Sequence, residues 1–160
     1  MPLTPFHFGP ALFFGLLLFR YIHLPTFLIA NVIVDLEPLF VLFFDLNYPL
    51  HGIFHSFAGG FLLAIILSCV MIKLDKNVQK VAGIFKARQD FSKKSIFITS
   101  ILGIYIHILF DAPLYTDIMP FYPFIFNPFY GLFTGSEIYL LCILLFFAGL
   151  VLYIYRLNQK

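Results

Sequence analysis

The sequence predicts an all-α, polytopic membrane protein. We expect a bundle of about five transmembrane helices plus a cytoplasmic amphipathic helix, forming a single integral membrane domain over residues 1–160. Hydrophobic residues make up 61% of the chain and charged residues only 11%, and the mean hydropathy is +0.96. The 23 phenylalanines and 9 tyrosines are too many for the core of a 160-residue protein, so lipid must solvate many of them.

Five apolar segments approach the length of about 20 residues that crosses a bilayer. They are residues 8–22, 25–44, 53–72, 95–115 and 136–155. The first is short and is interrupted by Pro10 and Gly15. The second contains four polar or helix-breaking residues, namely Asn31, Asp35, Glu37 and Pro38. We therefore expect the second segment to be kinked or partly re-entrant.

The basic residues predict the orientation. All ten fall in three places: Arg20, seven residues between positions 73 and 94, and Arg156 with Lys160. In a five-span chain these places share one side of the membrane, which the positive-inside rule makes cytoplasmic. We expect a multi-pass protein of the plasma membrane, with its N-terminus outside and its C-terminus in the cytoplasm.

Two polar connections have distinct patterns. The basic segment 73–94 carries Val78, Val81 and Phe85 at helical spacing, which predicts an amphipathic helix on the inner membrane surface. A solvated loop that only fixes topology is the alternative. Residues 116–131 contain three prolines, which exclude a regular helix, and many aromatics, which suit the outer interface. This loop is a lid, a lipid-docking surface or a simple interfacial belt.

Ionisable residues concentrate in the outer half of the predicted bundle. Seven of them come from four spans: His7, Asp35, Glu37, His51, His55, His107 and Asp111. A charged carboxylate at a helix centre costs roughly 2.5–3.5 kcal/mol, and no lysine or arginine lies on this side. A divalent cation is the remaining partner, unless the acids are protonated or open to water. His23, on the inner side beside Arg20, is interpreted as an interfacial residue.

The spacing of these residues favours a metal site. His51 with His55, and His107 with Asp111, are four residues apart, so each pair can present two ligands one helical turn apart. Imidazole and carboxylate together suit zinc, manganese or iron. We expect a divalent metal, zinc foremost, held by His7, Asp35, His51, His55, His107 and Asp111. A single His pair is a weak signal, and Glu37-Pro38 alone could be a helix kink. The two cysteines predict neither a disulfide nor a zinc-thiolate site.

Four segments carry a resemblance to a known family. "TPFHFGPALFFG", "NVIVDLEP", "HGIFHS" and "HILFDAPLY" occur in the order seen in the membrane-bound metal-dependent hydrolases, small multi-spanning proteins of bacteria and archaea. The chain resembles that family over most of its length. It departs in having Pro38 after Glu37 rather than a proline before Asp35, and Gly52-Ile53 where Arg-Gly is usual.

The resemblance implies a chemistry. The family is distantly similar to zinc phospholipase C and P1 nuclease, which implies phosphoester hydrolysis by a metal-activated water. We expect a lipid or lipid-linked phosphate as substrate, membrane lipids as partners, and catalytic roles for Asp35 and Glu37. Glu37 would serve as general base or as a carboxylate that orients a histidine.

Other classes of function are open or disfavoured. A non-enzymatic membrane protein that binds or transports a divalent cation could use the same ligands. Haem ligation by His55 and His107 fits poorly beside carboxylates. Nucleic-acid binding is disfavoured because the basic residues are few and lie next to the membrane. The oligomeric state is left open.

Overall fold

A computed structural model describes residues 4–159, and every regular element in that range is helical. The all-α prediction is confirmed for this part of the chain. Lys160 and the first three residues of the predicted 1–160 domain lie outside the described residues. The α-helices are α1 Phe8–Leu17, α2 Leu24–Ile33, α3 Leu36–Phe43, α4 Phe57–Ile84, α5 Lys93–Asp111 and α6 Gly135–Asn158. Short 3-10 helices at Thr4–His7 and Ile53–His55 precede α1 and α4.

Four helical stretches are long and apolar enough to cross a membrane: Leu24–Phe43, which combines α2 and α3, and then α4, α5 and α6. The first of the five predicted spans differs from the expectation. It forms a shorter apolar helix, Pro5–Leu17, which at 1.5 Å per residue reaches about 20 Å of a hydrocarbon layer about 30 Å thick. The chain then turns back, with Tyr21 N donating to the Leu18 carbonyl at 2.8 Å.

The basic segment 73–94 also differs from the expectation. No separate amphipathic helix forms there, because α4 continues without a break to Ile84. At 28 residues α4 is about 42 Å long, so it exceeds the bilayer and carries exposed Lys73, Lys76 and Lys80 at its far end. The helix ends where Lys86 adopts a positive φ of 50°.

The predicted kink in the second span is present between α2 and α3. Asp35 N donates to Val32 O and Glu37 N to Val34 O, so the backbone tightens to three-residue hydrogen bonds at the break. Pro38 has no N–H to continue the helical bonding. The break places Asp35, which is only 6% exposed, inside the protein.

Helix packing brings the elements into one bundle. α5 packs between α2 and α4, and α1 packs against α2 and α6. The main core joins α2, α4 and α5 through eight residues: Ala30, Val34, Ala64, Leu67, Met71, Ile96, Ile104 and Ile108. α1 approaches α6 so closely that a Cβ on Gly9 would collide with the backbone carbonyl of Cys142. Cys69 and Cys142 are both free, as expected.

Residues 112–134 form no regular element, as the prolines predict. This segment is attached to the start of α4, where Phe57 N donates to the Pro120 carbonyl at 2.8 Å. Asn127 Nδ2 donates to the Ala112 carbonyl at 2.8 Å. Phe124 and Ile125 are largely exposed, so the loop presents apolar side chains outward at this end of the bundle.

Candidate metal centre

The candidate ligands lie at helix ends and breaks rather than in helix middles. His7 is the N-cap of α1, Asp35 lies at the α2–α3 break, and His55 ends the 3-10 helix before α4. His107 and Asp111 occupy the last two turns of α5. These positions meet at one end of the bundle because α1 and α4 begin there, whereas α2 and α5 end there.

The first group of ligands contains His7, Asp35, His107 and Asp111. One potential ligand atom of each lies within 4.8 Å of the others. His7 Nε2 lies 3.1 Å from Asp111 Oδ1, and His107 Nε2 lies 3.5 Å from both Asp35 Oδ1 and Asp111 Oδ2. All four residues are buried. The imidazole nitrogens and carboxylate oxygens of these four residues therefore form a compact set of possible metal ligands.

The second group contains His51, His55 and Asp111, whose ligand atoms also lie within 4.8 Å of one another. The two histidine rings are 4.8 Å apart, but His51 lies in irregular chain and His55 in a 3-10 turn. The expected α-helical pair is therefore a turn, because α4 begins only at Phe57. Asp111 belongs to both groups, and a shared carboxylate of this kind can bridge two ions.

Three histidines have their Nδ1 atoms occupied by hydrogen bonds. The partners are Asp117 Oδ1 for His51 at 3.0 Å, Glu37 Oε2 for His55 at 2.9 Å, and the Asn31 carbonyl for His107 at 2.8 Å. Carbonyl and ionised carboxylate oxygens only accept, so we infer that each Nδ1 carries the proton and each Nε2 a lone pair. Metal-ligating histidines are oriented in this way.

Two of these three Nε2 atoms have no hydrogen-bond partner within the described residues. His55 Nε2 and His107 Nε2 are fully buried and have no hydrogen-bond donor. His107 Nε2 lies within ion-pair distance of two carboxylates, but without hydrogen-bond geometry. His7 Nε2 likewise lies within ion-pair distance of Asp111 Oδ1 without forming a hydrogen bond. Buried polar atoms are normally satisfied, and a divalent cation accepts both kinds of ligand, so the donor set fits such an ion.

Glu37 belongs to neither ligand group and instead forms a hydrogen bond with the ring of His55. Its Oε2 accepts from His55 Nδ1, and its Oε1 accepts from the backbone N–H of Phe54 at 3.2 Å. Both carboxylate oxygens are thus engaged in holding the 3-10 turn and the ring. Of the two roles expected for Glu37, this geometry favours orientation of a histidine over proton abstraction.

Asp117 is a residue that the sequence reasoning missed. It accepts from both the backbone N–H and the ring Nδ1 of His51, each at 3.0 Å. Burial raises the pKa of the Asp117 carboxyl, but these hydrogen bonds outweigh burial and hold the pKa below its usual range. Burial, followed by the charge of His55, lowers the pKa of His51. A neutral His51 is the form that binds metal.

Tyr115 was also missed. Its ring lies 4.2 Å from that of His51, and the residue lines a pocket of about 340 Å³ together with Tyr130 and Tyr139. Burial and the nearby Asp111 raise the pKa of Tyr115, so the phenol stays protonated. No motif identified Tyr115 or Asp117, because both lie in a loop whose path depends on the folded bundle.

His23 differs from the expectation of an interfacial residue. It is completely buried at the opposite end of the bundle. Gln79 Nε2 donates to His23 Nε2 at 2.6 Å, and His23 Nδ1 lies 2.6 Å from Thr26 Oγ1. The extension of α4 explains this burial, because it carries Gln79 over the start of α2. His23 belongs to neither group of candidate metal ligands.

Comparison with known proteins identifies no relative: no protein-family model matches the chain, and neither a curated protein nor a solved structure matches it. The resemblance to the membrane-bound metal-dependent hydrolases therefore stays a prediction from four sequence segments. The fold and the clustered side chains are the basis for any statement about function.

Proposed function

We propose that this protein is a membrane-embedded, metal-dependent hydrolase that acts on a phosphoester of a lipid or lipid-linked substrate. One observation carries the proposal. The Nε2 atoms of His55 and His107 are buried without a hydrogen-bond partner, and each ring is held through Nδ1. His107 Nε2 lies 3.5 Å from Asp111 Oδ2, and His55 offers a ligand atom within 4.8 Å of one on Asp111. Zinc is the ion that best fits imidazole and carboxylate ligands, and manganese and iron are also compatible.

The two ligand groups support a centre of two ions. His7, Asp35, His107 and Asp111 would hold one ion, and His51, His55 and Asp111 the other, with Asp111 bridging. Three protein ligands at the second ion leave a position for water or substrate, as catalytic zinc sites do. Bound ions would supply a water of lowered pKa and a Lewis acid for a phosphoryl oxygen.

The protein's own residues would orient the histidine ligands, bind the ions and contact the substrate. Glu37 and Asp117 fix the ring planes of His55 and His51, so we assign both as positioning residues. Asp35 remains a ligand with a catalytic role, since it would contact the ion beside the reacting oxygen. The ring of Tyr115 lies beside that of His51, and its protonated phenol would be a hydrogen-bond donor for a negatively charged substrate oxygen.

Two separate cavities, each with one lining residue in contact with a candidate ligand, support an amphiphilic substrate. The tyrosine-lined pocket of about 340 Å³ next to His51 offers polar groups for a head group. An apolar groove of about 380 Å³ reaches Glu37 and is lined by Leu36, Phe40 and Leu63. Because Glu37 contacts His55, a hydrocarbon chain in this groove would end beside the ligand cluster. This arrangement fits a lipid of the outer leaflet.

A divalent-cation transporter is the second candidate. The buried polar network around His23 at the opposite end of the bundle favours it, because a transporter needs polar groups on both sides. Between the two clusters, α2, α4 and α5 contribute Phe27, Ala64 and Ile104, all completely buried. Buried polar side chains, among them Asn31 and Ser100, lie in the same interval. Both groups of candidate metal ligands found among the described residues lie at one end of the bundle, however, and we therefore prefer the hydrolase.

The test combines metal analysis with an assay. The protein is purified in detergent without chelator, and bound metal is counted by elemental analysis. We expect about two ions per chain, about one after His55→Ala, and none after Asp111→Ala, because Asp111 is shared. His23→Gln is the matched control, since it alters a buried histidine outside the cluster.

Hydrolysis is assayed with phosphodiester and phosphomonoester lipids. We expect His55→Ala and Asp111→Ala to reduce turnover by at least about a hundredfold, as loss of metal-based catalysis does. His23→Gln should retain both metal and turnover. Metal binding without hydrolysis of any tested phosphoester, combined with cation uptake into proteoliposomes, would replace the hydrolase with the transporter.

A further inference from the structure

All three arginines of the chain line one pocket at the end of the bundle opposite the candidate metal centre. Arg20 follows α1, Arg88 lies between α4 and α5, and Arg156 lies near the end of α6. The pocket has a volume of about 670 Å³. Three guanidinium groups that line one pocket repel one another, and an anion bound among them would offset this repulsion.

The described residues do not supply enough negative charge. Asp90 is the carboxylate in the pocket lining, and no ion pair joins a described carboxylate to any of the three guanidinium groups. Arg20 and Arg88 are exposed, and the guanidinium carbon of Arg156 lies 3.0 Å above the centre of the Phe19 ring. The cation–π contact fixes Arg156 and leaves its donors available.

Hydrogen bonds of Gln89 hold together the segments that line one side of this pocket. Gln89 Nε2 donates to the carbonyls of Phe19 at 2.6 Å and Ile22 at 3.0 Å, while its Oε1 accepts from Leu24 N at 2.8 Å. These bonds fasten the connection that carries Arg88 to the turn that carries Arg20. The backbone segments that carry Arg20 and Arg88 are thus held next to each other by the fold.

An apolar groove of about 660 Å³ adjoins the pocket, and Leu16 lines both. α1, α2, α4 and α6 all contribute to its walls, for example through Leu28, Val78 and Leu150. Tyr153 Oη donates to the Phe85 carbonyl at 2.9 Å, so this phenol at the edge of the groove has a hydrogen-bond partner. Lined by helices that can span a membrane, the groove offers a surface for hydrocarbon.

We propose that the arginine pocket and the adjoining groove together form a binding site for one anionic phospholipid, with the phosphate among Arg20, Arg88 and Arg156 and an acyl chain along Leu16. Arginine binds phosphate through paired N–H groups, and basic pockets between membrane helices bind anionic head groups. This site is separate from the proposed hydrolytic centre and does not depend on that assignment.

The test measures lipid retained by the purified protein with native mass spectrometry. The probes are phosphatidylglycerol, phosphatidylcholine with the same acyl chains, and inorganic phosphate. We expect one phosphatidylglycerol to remain bound where phosphatidylcholine and inorganic phosphate do not. In the double variant Arg20→Gln/Arg88→Gln its affinity should fall by roughly thirtyfold, since two guanidinium contacts are lost.

Lys73→Gln/Lys76→Gln is the matched control, because it removes two exposed charges on α4 outside the pocket. It should change lipid retention by less than about threefold. Short-chain phosphatidylglycerol should bind more weakly than the long-chain form, because a shorter acyl chain buries less apolar surface in the groove. Equal retention of phosphatidylcholine, equal binding of inorganic phosphate, or equal losses in the two double variants would each overturn the proposal.

Discussion

His51, His55 and His107 each have Nδ1 hydrogen-bonded to an acceptor, and each belongs to a group of candidate metal ligands. The acceptors differ: a loop aspartate, a helix glutamate and a backbone carbonyl. A backbone carbonyl cannot be removed by mutation, whereas the two carboxylates can. The contribution of ring orientation can therefore be measured separately from that of the ligands themselves.

For the residue that orients His55, we expect Glu37→Gln to weaken metal affinity by about 10- to 100-fold while the protein stays folded. The amide offers only one acceptor where the carboxylate has two partners, His55 Nδ1 and Phe54 N. Competition with a fluorescent chelator measures the affinity. Glu137→Gln makes the same change in the exposed capping box of α6, and unchanged affinity is expected there. Equal affinities in both variants would contradict the orienting role.

At the scale of residues, the sequence predicted the candidate metal ligands but not all of the residues that contact and orient them. The two four-residue spacings, the acidic pair and the position of His7 in the outer half of the predicted bundle together named every residue of both ligand groups. Asp117 and Tyr115 were missed because their contacts with His51 depend on how the 112–134 loop folds back. The burial of His23 was missed because Gln79 is 56 positions away in sequence.

At the scale of elements, α1 is held against α6 by close backbone contact rather than by large side chains. Gly9 lies against the Cys142 carbonyl, and a Cβ on Gly149 would lie 2.9 Å from Leu12. Small residues permit this approach between membrane helices. Since His7 is the N-cap of α1, the position of α1 against α6 also sets where that histidine lies.

We expect Gly9→Ala to destabilise the protein by about 1–3 kcal/mol, because the methyl group forces α1 away from α6. The apparent melting temperature in detergent should fall by about 3–10 °C. Gly83→Ala is the control, since a Cβ there meets nothing within 4 Å and favours the helix. A melting temperature for Gly9→Ala equal to that of Gly83→Ala would refute the close contact.

Hydropathy predicted which segments are helical, but not where the helices end. The lengths of α1 and α4 both differ from expectation, because their ends depend on tertiary contacts. α1 stops where the chain turns to place Phe19 beside Gln89, and α4 continues because Gln79 is held by His23 and by the Gln89 backbone. Neither contact is visible in local sequence patterns.

At the scale of the whole molecule, the arginine pocket and the candidate metal centre lie at opposite ends of the bundle. Arg20, Arg88 and Arg156 share one end, as the charge distribution predicted. The absolute orientation is a prediction from the positive-inside rule. Single cysteines placed at the two ends can test it.

We expect Phe124→Cys to react with a membrane-impermeant maleimide in intact cells, and Lys76→Cys to react only after lysis. Both positions are exposed, and both variants are made in a background with Cys69→Ser and Cys142→Ala. That background without added cysteine is the control for labelling. Reaction of Lys76→Cys in intact cells would reverse the predicted orientation.

The shortness of Pro5–Leu17 has a consequence for the surrounding bilayer. A helix of about 20 Å beside neighbours of 30 Å or more creates a hydrophobic mismatch, which lipids relieve by thinning locally. His7 lies at the start of this short helix, so the dip in the membrane surface would form directly above the ligand cluster. Such an indentation would bring bulk water to a buried centre without any channel through the protein.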